Sequence, residues 1–144
     1  MHSIRGFILA VLVIVSQLSA VQHPESGVLT VRITAEEHSG GKAIVRLFRE
    51  VDDIPKKPWL QRSGEFSNNM ATVSIDSLPY GHYALIAFAD DNANGELDHS
   101  WGLPSEPIGF SNGWELSLFS GMPTFRKLAF TFSPQSDSCA IALH

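Results

Sequence analysis

Residues 70–90 read MATVSIDSLPYGHYALIAFAD, and the fold is decided there. In the first half Ala71, Val73 and Ile75 alternate with Thr72, Ser74 and Asp76. That is the two-residue period of a strand with one dry face and one wet face. From His82 to Asp90 the run is apolar throughout, as expected of a central strand covered on both sides. LPYG punctuates the two runs as a turn. Gly81 permits a bend there, and Tyr83 is placed to cap the structure with a ring and a hydroxyl.

Outward from this pair the pattern repeats. Towards the N-terminus lie GVLTVRITA (27–35), with Leu29, Val31 and Ile33 on one face, and KAIVRLFRE (42–50), apolar on both faces. Towards the C-terminus lie FRKLAFTF (125–132), alternating through Leu128, Phe130 and Phe132, and SCAIALH (138–144), alternating through Cys139, Ile141 and Leu143. EEHSGGK, NANG and SPQSD mark further turns. No stretch of 21–144 sustains a helical period; the only weak candidates are one or two turns near NGWELSLF (112–119). The reading is all-β: a single immunoglobulin-like or transthyretin-like β-sandwich of six to seven strands with one long functional loop, over residues 27–144. Two connections are long, from Glu50 to about Asn69 and from Asp90 to about Thr124. The second is longer than a connection needs to be, which points to function, and its Trp101, Phe110, Trp114 and Phe119 argue for order.

The first twenty residues differ in kind. MHSIRGFILAVLVIVSQLSA carries Arg5, then an apolar run from Gly6 to Val15, then small and polar residues ending at Ala20. This is the layout of a secretory signal peptide, and the run is short for a membrane span. Leu18 departs from the usual small residue, so an uncleaved anchor is the other reading. Residues 21–26 read as a loose leader. Cleavage after Ala20 leaves a secreted or periplasmic chain without a membrane span. It carries nine basic and fifteen acidic residues, a formal charge of −6. An acidic chain with no basic stripe is a poor partner for nucleic acid. Cys139 is the sole cysteine, so no internal disulfide is possible; its apolar setting reads as a buried structural thiol.

The stretch DDNANGELD (90–98) carries the chemistry. A hard cation needs six to eight oxygens, and alternate residues of a curled loop can supply them where a glycine allows the bend. With Asp90 at the first position of an EF-hand-type loop, Asn92 falls at the third and Asn94 at the fifth. Gly95 then takes the sixth, the Glu96 carbonyl the seventh, Leu97 the eighth and Asp98 the ninth. The twelfth position should be a bidentate glutamate and is Trp101, and the flanks are not helical, so this is not an EF-hand. Glu106 could close the shell if the chain folds back. The candidate ligands for Ca2+ are therefore Asp90, Asn92, Asn94, Glu96, Asp98 and Glu106, with Asp91 a competitor for the role of Asp90. Affinity around 10⁻⁴ M is expected of such a site. The alternative is an Asx-rich turn that bonds only its own backbone.

These residues resemble the signature of a secreted bacterial family known only as domain of unknown function 2141. The shared pieces are Asp90, Asn92, Asn94, Gly95, Leu97 and Asp98, then Gly102, Pro104 and Glu106, then Gly109 to Asn112. The preceding LPYGHYAL also fits, and the resemblance spans about residues 27–143. It implies an extracytoplasmic sandwich, brings no activity and no catalytic residue, and lends weight to Glu106.

Other motifs are weaker. GFSNG (109–113) fits the Gly-x-Ser-x-Gly pattern of a nucleophile elbow, but without the strand, helix and α/β sheet that motif needs, so Ser111 reads as part of a tight turn. The histidines at 23, 38, 82, 99 and 144 lack metal-ligand spacing. The functional expectation is a non-enzymatic binding or structural module of the cell envelope, meeting a protein or glycan ligand on a calcium-ordered loop. The rival is a small extracytoplasmic metal-dependent hydrolase using Asp98, Glu106 or His99 around a metal-bound water.

Overall fold

The turn after residue 78 carries the chain from one sheet to another. The computed structural model describes residues 25–38 and 40–144; the signal-like segment and residues 21–24 of the leader lie outside them. Strand β1 (Ser26–Ala35) lies between β4 (Met70–Pro79), antiparallel, and β10 (Ser138–Leu143), parallel. The second sheet orders β3 (Leu60–Glu65), β2 (Lys42–Phe48), β5 (Gly81–Asp90) and β8 (Ile108–Phe110), with β9 (Phe130–Phe132) also on β5. A two-stranded ribbon, β6 (His99–Ser100) with β7 (Leu103–Pro104), stands apart. The whole is an open β-sandwich rather than a closed barrel.

The alternation read from the sequence sets the layers. Leu29, Val31 and Ile33 of β1, with Ala71, Val73 and Ile75 of β4, face Ala43, Val45 and Leu47 of β2 and Leu85 and Ala87 of β5 in the main core. The uniformly apolar β5 is covered on its other face too. There Ala84 and Ile86 join Phe48, Phe110 and Leu128 in a second core, with Ile54, Trp114 and Phe125 packed at its edge. Tyr83 caps the first core: its hydroxyl donates to the Pro79 carbonyl at 2.8 Å, and its ring stacks on Trp59. A tyrosine bonded to backbone a few residues upstream also marks immunoglobulin-type sandwich corners. The left-handed residue of the turn is Ser77, not Gly81.

Four expectations are corrected. FRKLAFTF is not one strand: Phe125–Leu128 form a single helical turn, α1, and only Phe130–Phe132 are extended. Packing of Phe125 and Leu128 against the second core overrides the alternation. NGWELSLF holds no α-helical turn; a 3-10 turn covers Ser111–Gly113 and the rest is irregular. The connection 50–69 contains β3, an edge strand whose exposed LQRSGE has no apolar period to read. The strand number exceeds six to seven because β3, β8 and the two-residue β6 and β7 join the expected runs.

The GFSN stretch is a structural joint. Gly109 faces β10 so closely that a Cβ would fall 2.3 Å from the Ala142 carbonyl oxygen. Phe110 enters the second core. The buried Ser111 hydroxyl accepts from Leu85 N at 2.9 Å and donates to the Leu128 carbonyl at 2.6 Å. Asn112 is left-handed, and its amide donates to the Lys127 carbonyl. With its hydroxyl engaged on both sides, Ser111 is a bracket between β5, β8 and α1 rather than a nucleophile.

Ser111→Ala leaves the Leu85 N–H and the Leu128 carbonyl without partners in a dry site. It should lower stability by about 2 kcal/mol, read in urea unfolding with an unchanged m-value. Burial pushes the half-buried Cys139 thiol up to about 11. Two units above an ordinary thiol means roughly a hundredfold less thiolate at neutral pH, so iodoacetamide should alkylate the folded protein far more slowly than the urea-unfolded chain. Because the folded form holds the proton more tightly, this stabilisation is present below the ordinary thiol range. It is lost as pH rises towards 11.

Candidate functional site

Asp90 ends β5 on the face of the second core, where the chain leaves the sheet and curls. Its side chain is 3 % exposed. One carboxylate oxygen accepts from Asn94 N at 3.1 Å and the other from Gly95 N at 2.9 Å. Gly95, at φ 75°, supplies the left-handed bend that brings both N–H groups back. Asn92 and Asn94 each accept a backbone N–H two residues on, from Asn94 and Glu96. Their amide nitrogens both donate to the Asp98 carboxylate, Asn94 at 3.0 Å. The loop is thus curled by Asx turns, with Asp90 and Asp98 at its two poles.

Glu106 does fold back. It is 7 % exposed, and its two oxygens accept from Asp91 N at 3.0 Å and Asp98 N at 3.2 Å. One carboxylate therefore closes the loop at both ends. Ser105 N also donates to the Asp98 carbonyl, so the return strand follows the loop for two residues. Asp91 points away from this network, with its Oδ1 2.9 Å from His38 Nε2. That hydrogen bond raises the pKa of His38. The tie is fullest below the ordinary histidine range and loosens as pH rises through the raised value.

Three tethers carry no sequence signal. Arg46 of β2 reaches the Glu96 carboxylate at 2.9 Å and lies over the Phe88 ring at 5.1 Å. Gln61 of β3 holds the Gly95 carbonyl at 3.1 Å and accepts from Arg46 at 2.8 Å. His38 holds the far side through Asp91. Each is an isolated polar residue from a different strand or turn, and only the sheet order brings them to one loop.

Asp90, Asn92, Asn94 and Asp98 share one hydrogen-bonded curl, the Glu96 side chain is turned to Arg46, and Glu106 lies against the backbone at the loop's ends. Among the described residues, no three His, Cys, Asp or Glu side chains converge on one point. Any cation here would take amide and carbonyl oxygens along with carboxylates. Beyond the loop, Phe110 and Trp114 cover the second core edge to face, at 4.7 Å. Trp101 and Phe119, at 101 % and 97 % exposure, stand in solvent. Aromatic cover and aromatic display are divided along the same connection.

Glu106→Gln keeps the shape but replaces one acceptor oxygen with a donor facing a backbone N–H. The exchange should destabilise by about 1.5–3 kcal/mol and speed amide exchange selectively at Asp91 and Asp98.

No curated protein and no solved structure matches the chain. A family described as an uncharacterised protein conserved in bacteria, DUF2141, matches residues 31–140, from within β1 to within β10. That span takes in the curled loop, its glutamate clamp and the serine bracket, and the chain belongs to this family.

Proposed function

We propose that this chain is a non-enzymatic binding or structural module of the bacterial cell envelope, secreted or periplasmic, whose 90–98 loop holds calcium. The observation that supports calcium is one of charge. Asp90 and Glu106 are both buried, and among the described residues neither has a Lys, Arg or His at ion-pair distance. Asp98 is faced by two neutral amides. Burying like charges together is unfavourable unless positive charge offsets them. A divalent cation supplies that charge, and oxygens are what it takes. Asp90, Asn92, Asn94, the Glu96 carbonyl and Asp98 would hold it, with Glu106 as the sixth candidate.

In this reading the cation stiffens the start of the connection and so fixes the exposed Trp101 and Phe119. A protein or glycan ligand would meet that surface. The Asn92 and Asn94 amides compete with the ion for Asp98, which keeps affinity in the weak range of extracellular modules, about 10⁻⁴ M. At ten times that concentration calcium should add roughly 1.4 kcal/mol, raising Tm by several degrees. Thermal melts in chelator and in calcium measure this. Asp90→Ala should abolish the shift, and magnesium should not reproduce it. Equal melting temperatures in chelator and in about 10 mM calcium would reduce the loop to a polar turn.

A further inference from the structure

Strand β10 is bonded on one side only. In a parallel ladder alternate residues face the partner. The carbonyl of Asp137 accepts from Thr30 N of β1 at 2.9 Å, so Cys139, Ile141 and Leu143 also face β1. Ser138, Ala140, Ala142 and His144 aim their N–H and C=O groups the other way. His144 uses both, exchanging bonds of 3.0 and 3.1 Å with Ile108 of β8. One residue on, Gly109 of β8 still presses on the Ala142 carbonyl, and the strands part only beyond Ala142. There Ser138 and Ala140 have β1 as their one ladder partner among the described residues.

A trough of about 830 Å³ fills the fork. Ala140 and Ala142 line it along β10, and Trp114, Leu116, Leu118 and Met122 line it from the loop. Leu118 and Met122 are 89 % and 66 % exposed, so this apolar wall has no cover of its own. Glu115 stands exposed beside this wall, whereas the buried Glu106 carboxylate is held by Asp91 N and Asp98 N. Unpaired strand groups beside an apolar trough of this size are the two halves of a strand-addition site. Main-chain bonds give affinity there, and alternate side chains fill the groove.

We propose that this fork binds an extended peptide segment of a partner protein, added as an antiparallel strand on the open edge of β10. It would carry large apolar side chains at alternate positions and a basic residue at its flank. Antiparallel is the direction β8 already takes at Ile108. The exposed Glu115 favours a basic flank. A second copy of this chain is a poor occupant, because the exposed face of β10 would offer only Ser138, Ala140 and Ala142 to the trough. The inference rests on the binding reading above and is independent of calcium.

The probe is a fluorescein-labelled nonapeptide with Leu and Phe at alternate positions, Thr between them and Lys at each end. It is titrated against the purified protein by anisotropy, in chelator and in calcium. Saturable binding is expected, with amide exchange slowed at Ala140. Ala140→Pro removes an outward N–H and leaves the β1 ladder intact, as edge strands tolerate; it should weaken binding about tenfold or more. Leu118→Asp, on an exposed loop, should do the same through the trough. Three outcomes overturn the proposal. They are no saturable binding by the unaltered protein, binding that Ala140→Pro leaves unchanged, and an amide at 140 whose protection rises with protein concentration alone, which marks a second copy. A calcium-dependent melt with no peptide binding overturns this inference alone. Peptide binding without a calcium shift overturns only the metal reading.

Discussion

Strand β5 has to be dry on both faces, and the rest of the molecule is arranged to make it so. Leu85, Ala87 and Ala89 face the inner core, while Ala84, Ile86 and Phe88 face the other way, all nearly inaccessible. The β10-β1-β4 sheet covers the inner face. The outer face is covered by irregular chain, the long connection after Asp90 and the single turn α1. Irregular chain is a poor lid unless its backbone groups are satisfied and its ends are fixed. Asp90, Glu106 and Ser111 do this at successive points. Asp90 turns the chain out of the sheet, Glu106 holds both ends of the curl, and Ser111 bolts the returning strand to Leu85 and Leu128.

This explains what was legible in the sequence. Strands with one wet face announce themselves by period two, so β1 and β4 were plain, and β5 was plain by its length of apolar run. The curl at 90–98 was legible because Asx turns and a left-handed glycine are local chemistry, written in adjacent residues. The return of Glu106 was readable only as a possibility, since it depends on where 99–105 goes. Strand β3 was not legible: LQRSGE is an edge strand whose place comes from pairing with β2, with no buried face to set a pattern. Helix α1 misled for the opposite reason. Leu128, Phe130 and Phe132 do alternate, but Leu128 belongs to a helical turn packed on the outer core.

The family signature reads differently once placed. Its pieces are not spread along a catalytic cleft; they follow the lid from its hinge to its anchor. The acidic and amide residues shape the hinge, the glutamate secures it, and Gly109 to Asn112 make the anchor. Gly109 allows β8 to press on Ala142, and Phe110 enters the outer core. Between hinge and anchor the lid displays Trp101 and Leu103, and Leu118 and Phe119 are displayed just past the anchor. Structural fixity at both ends with apolar display between them is the division of labour of a binding loop on a rigid scaffold.

The anchor also dictates where the sandwich stays open. Strand β8 could continue beside β10 only if the chain ran straight past Phe110. Ser111 prevents that, because its hydroxyl must reach Leu85 and Leu128, which lie across the outer core. The left-handed Asn112 completes the departure. Covering β5 and closing the edge of β10 are thus competing demands on the same three residues, and the cover wins. The open edge persists because burying Phe110 and Leu128 removes far more apolar surface from water than a few solvated backbone bonds could offset. An exposed edge is ordinarily blunted by charge, proline or a bulge. This one is flanked by alanines and an apolar trough, the surroundings that favour a paired strand over a protected edge.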